Sequence, residues 1–141
     1  MMTEQGKAHQ LLAEAGVLPR EMPHNFTYDK VREVLTQLED ADPVQVRHAI
    51  AGAQRLEIKS PLAAVIFIKH SMEGAHEAEV DRLEENEEDG TRYAVLIYPE
   101  GEVPIKVENL PKEVGVGSRV QYQSAAGQFS VKKNDQVQSS K

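Results

Sequence analysis

The chain has 141 residues, with 23 acids against 16 bases, a net charge of −7 and no cysteine. This length suits one ordinary domain or two very small ones, and folding removes about two-thirds of the unfolded surface from water, enough for a core without a covalent staple. Disulfides, iron–sulfur clusters, thiolate zinc sites and cysteine nucleophiles are excluded by composition, and the acidic balance opposes general affinity for nucleic-acid backbones. No apolar run reaches the roughly 18 to 20 residues of a membrane span. The start, Met1-Met2-Thr3-Glu4-Gln5, lacks the basic and apolar regions of a signal peptide. A soluble, cytoplasmic protein with no membrane contact is the expectation.

The first half predicts short helices. Thr3 is a capping residue for a first helix reaching about Ala15, and Gly16 supplies a left-handed stop. Leu11, Leu12 and Ala15 share one side of it. Pro19 and Pro23 punctuate an irregular loop over residues 17–26. Thr27 is the expected cap of a second helix, in which Val31, Val34, Leu35 and Leu38 recur at helical spacing. Asp42-Pro43 pairs a capping carboxylate with proline at the first helical position, and Ser60-Pro61 repeats the signal. Between them Val46, Ile50 and Ala53 share a face, with Leu56 near the end.

The run Leu62-Ala63-Ala64-Val65-Ile66-Phe67-Ile68 is apolar all round, so its period distinguishes nothing. Its Ser-Pro start favours a helix, placed at the centre of the core or in a homodimer interface through residues 62–68. After Asp89-Gly90 the chain turns to strand formers. Residues 93–98 (Tyr-Ala-Val-Leu-Ile-Tyr) predict one strand, Pro99-Glu100-Gly101-Glu102 a turn, and Val103, Ile105 and Val107 a second, alternating strand. Leu110-Pro111 and Gly115-Val116-Gly117 connect to strands containing Val120 with Tyr122, then Phe129 with Val131, joined by a turn at Ala125-Ala126-Gly127. Short strands with glycine-bearing turns suggest a small antiparallel barrel. Residues 134–141 carry one apolar side chain, Val137, and read as a disordered tail.

Val80-Asp81-Arg82-Leu83-Glu84, Tyr93-Ala94-Val95-Leu96, Leu110-Pro111 and the stretch from Gly115 to Val120 together resemble a family of short bacterial small-β-barrel domains of unknown function. Those domains read Val-Asp-Arg-Phe-Glu, a turn, Ala-Val-Leu, a glycine turn, Leu-Pro and a Gly-Asp-Val strand start. The likeness covers residues 78–123. Leu83 replaces the usual aromatic, and residues 86–89 lengthen the first hairpin with acids. The resemblance implies an SH3-like or OB-like barrel opening with a strand over residues 78–85, and it transfers no functional residues. Periodicity alone points elsewhere, because Met72, His76, Val80 and Leu83 are spaced like a helical face. The strand is preferred, since residues 93–98 need a hairpin partner. The fold class is thus α+β: three to four short helices over residues 1–72, then a small antiparallel barrel or sheet over 73–133.

Charge is segregated. Residues 1–70 hold nine acids and eight bases, 71–102 eleven acids and two bases, and 103–141 three acids and six bases, giving −1, −9 and +3. The bland reading of the acidic belt is a solvated loop; the sharper one is a surface for a basic partner. Glu84, Glu85, Glu87, Glu88, Asp89 and Arg92 form the candidate partner-binding set around the hairpin tip. The partner expected is a larger protein assembly with a basic surface, such as a transcription or nucleic-acid-handling machine.

Two alternatives compete. Lys106, Lys112, Arg119, Lys132 and Lys133, with Tyr122 and Phe129 between them, resemble a nucleic-acid face, although the two rings are needed as core. His70, Glu73, His76 and Glu77 have spacings of three and four that suit a metal on a helical face, but the His-Glu-x-x-His pattern is absent and Gly74 weakens the helix. Asn86-Glu87-Glu88-Asp89-Gly90 lacks the ligand register of a calcium loop. Gly115-Val116-Gly117-Ser118 lacks the lysine and helix of a phosphate loop. No serine has the context of a nucleophile. A non-enzymatic regulator without a cofactor is the expectation.

Overall fold

A computed structural model of the chain describes residues 6–72 and 77–131. Four helices, α1 (Lys7–Glu14), α2 (Phe26–Gln37), α3 (Pro43–Arg55) and α4 (Pro61–Met72), precede five strands, β1 (Glu77–Glu85), β2 (Arg92–Tyr98), β3 (Gly101–Lys106), β4 (Arg119–Gln123) and β5 (Gln128–Val131). The layout is α+β, as expected.

The helix starts obey local chemistry, with one correction. Asp42 accepts from the Val44 amide at 3.0 Å, and Ser60 Oγ from the Ala63 amide at 3.4 Å. The second helix, however, is capped by Asn25, whose Oδ1 accepts from the Tyr28 amide at 2.9 Å, and not by Thr27, which lies inside the first turn. Two good capping residues stand two positions apart here, and the one whose side chain reaches a free amide wins. At the first helix Gly6 is the N-cap, while Thr3 lies outside the described residues. Gly16 provides the left-handed stop at φ +83°.

The apolar run in α4 is the centre of the core. Ala63 to Ile68 are each at most 2% exposed, because α2 and α3 cover one side and β3 another. The side chains of residues 63–68 are thus covered within the single chain, while Leu62 is partly exposed at the helix start. Phe67 packs edge-on against Tyr122, with ring centroids 4.8 Å apart, and lies 6.2 Å from Phe129. Tyr122 hydroxyl accepts from Arg55 Nη2 at 3.0 Å. Gly52 permits this approach, since a Cβ there would stand 2.9 Å from that hydroxyl. One apolar cluster joins Leu12, Val31 and Ile50 of the helices to Leu96, Val103 and Val120 of the strands.

The sheet is antiparallel, in the order β3-β2-β1-β4-β5. Among the described residues no ladder joins the edge strands β3 and β5, so the five strands form an open sheet. The strand over residues 78–85 is present as β1, and it is central, paired to β2 on one side and to β4 on the other. Two boundaries differ from expectation. Gly101 and Glu102 already pair with Tyr98 and Ile97, which shrinks the turn to Pro99-Glu100. Val107 leaves the strand for a 3-10 turn, Val107–Asn109. The tail 134–141 lies outside the described residues.

Candidate functional site

The β1–β2 hairpin is built by two features that re-aim its side chains. Register places Val80 opposite Leu96 but Arg82 opposite Val95, so Asp81 is an extra, bulged residue. A bulge reverses the alternation beyond it. Arg82 and Glu84 therefore share the face of Glu102, which is opposite Ile97 on the next strand. At the tip, Gly90 adopts φ +75° and its amide donates to Asn86 carbonyl at 2.7 Å. Asn86 Oδ1 accepts from the Glu88 amide at 2.8 Å, and Asp89 Oδ1 from the Thr91 amide at 2.9 Å. The loop carrying the acids is thus closed by its own side chains.

The carboxylates divide into two groups. Arg82 holds the root: its guanidinium donates to Asp81 at 2.7 Å, to Glu84 at 2.7 Å and to both oxygens of Glu102 at 3.0 and 3.2 Å. Those hydrogen bonds push Arg82 above its ordinary pKa and hold Glu102 below the usual glutamate value. Asp89 is also lowered, by the Thr91 amide and hydroxyl. In contrast, Glu85, Glu87 and Glu88 are exposed and make no side-chain hydrogen bond or ion pair among the described residues. Arg92 is exposed at the start of β2, with Glu85 as its cross-strand neighbour.

At the root of the hairpin lies an open cleft of about 360 Å³, between the α3–α4 connection and the strands. Ile58, Ala63, Tyr93 and Pro104 give it apolar surface, and Glu57, Glu84 and Glu85 stand around them with Lys59. Glu57 has φ +60°, the one non-glycine residue with positive φ among the described residues. Its carboxylate accepts from Lys106 Nζ at 2.6 Å, which lowers the pKa of Glu57 and raises that of Lys106.

The described members of the two alternative sets are engaged elsewhere or stand apart. Lys106 is engaged by Glu57, and Arg119 stands 3.6 Å from Glu77 with Glu79 opposite it in the ladder. β1 and β2 separate the strands that carry these two cations. Lys132 and Lys133 lie outside the described residues, and Tyr122 and Phe129 are buried in the core. Of the metal set, Glu73 and His76 lie outside the described residues. His70 is on α4 and Glu77 on β1, so they do not share a helical face. His70 is buried, stacks on Tyr98 at 4.8 Å and donates from Nε2 to Glu100, which also accepts from Lys69 at 2.9 Å. Burial pushes the Glu100 carboxyl up, but the hydrogen bonds from His70 and Lys69 outweigh it and leave the pKa lowered. Among the described residues no three His, Asp or Glu side chains gather as metal ligands, and no helix is long and apolar enough to cross a membrane.

The sequence singled out the hairpin acids but missed Glu57 and Glu102 as their neighbours. Glu57 follows Leu56 at a helix end where glycine is the usual residue, and that departure was the available signal. No protein-family model, curated protein or solved structure matches the chain.

Proposed function

We propose that this protein is a non-enzymatic, cytoplasmic binding module and regulator. Its β1–β2 hairpin presents carboxylates to a basic surface of a larger protein assembly, such as a transcription or nucleic-acid-handling machine. The observation that supports this reading is the division of charge along the hairpin. Arg82 is committed to three carboxylates at the root, whereas Glu85, Glu87 and Glu88 are exposed and form no ion pair among the described residues. Uncancelled charge of one sign, held on a closed loop, steers an oppositely charged partner and loses little conformational freedom on contact.

The experiment compares three tagged proteins in pull-downs from native lysate, with bound proteins identified by mass spectrometry. These are the wild type, a hairpin variant (Glu85→Lys, Glu87→Lys, Glu88→Lys) and a control with equally exposed acids reversed on the helical side (Glu21→Lys, Glu33→Lys). A partner retained by wild type and control but lost by the hairpin variant is expected, with retention that falls as salt is raised. Identical sets of bound proteins for all three, or none for any, would remove the reading.

A further inference from the structure

No further inference is drawn: the strongest candidate, the groove between the outer edge of β5 (Gln128–Val131) and residues 108–111, has its one lining cation, Arg55, already bonded to Tyr122 and Gly127, and nothing in the structure shows what covers it.

Discussion

Phe67→Ala probes whether helices and sheet unfold as one body. Phe67 is 1% exposed and touches both Tyr122 and Phe129, so its ring joins α4 to the β4–β5 hairpin. Removing a buried phenylalanine ring costs about 3–5 kcal/mol, from lost transfer energy and the cavity left behind. For 141 residues, an unfolding entropy of about 2.1 cal/mol/K per residue converts that loss into a fall in melting temperature of roughly 10–17 °C. The chain offers two independent probes, since it has four tyrosines and no tryptophan, and Tyr93, Tyr98 and Tyr122 lie in strands. Far-UV circular dichroism at the helical minimum follows the helices, while tyrosine fluorescence chiefly follows the sheet. In guanidinium titrations both signals should move together, to the same lower midpoint. A loss below about 1 kcal/mol, or a sheet transition that moves while the helical one stays in place, would refute a shared core.

Three smaller perturbations test the local chemistry. Asp42→Ala removes the cap on the Val44 amide and should lower stability by about 1 kcal/mol in thermal melts, whereas Thr27→Ala should change little because Asn25 is the cap. Arg82→Gln should raise the titration midpoint of the Glu102 carboxyl towards its ordinary value, since the guanidinium is what holds it down; an unmoved midpoint by carbon-detected NMR would contradict the network. Glu100 has a folded-state pKa below the ordinary 4.5, so its contribution is complete above that pH and is lost as pH falls through the lower folded value. Glu100→Gln should therefore cost about 1–2 kcal/mol at neutral pH, where two charged hydrogen bonds to a partly solvated carboxylate are lost. The gap to wild type in denaturant titrations should narrow below pH 4.5.

Local signals carried most of the helical half. Asp42-Pro43 and Ser60-Pro61 start helices because capping is settled within three residues, and α4 is apolar all round because it is covered on all sides. The β1 segment was harder, since Met72, His76, Val80 and Leu83 imitate a helical face. A residue pattern cannot register that β2 must pair with something, and that need decided the strand. Wholly long-range features left no trace: the pairing of β1 with β4 spans the connection through Leu110 and Ser118, and Arg82 reaches Glu102 only because a bulge at Asp81 turns it outward. The hairpin acids were legible as charge, but their division into a neutralised root and a bare tip depends on that same bulge.

That division follows from what each position asks of the fold. At the root, Glu84 on β1 and Glu102 on β3 lie on one face of the sheet with β2 between them; Arg82 bonds to both and offsets their like charge. Beyond Glu85 the strands end, and Glu87 and Glu88 oppose no other strand. Their repulsion is screened by water and salt, so leaving them unpaired costs the folded state little. The fold therefore tolerates its uncancelled negative charge at the most exposed part of the hairpin, next to the cleft at its root. A cation introduced at the tip, as in Glu88→Arg, would gain little stability from solvent-screened neighbours such as Glu87, yet it would erase much of the negative field of the loop.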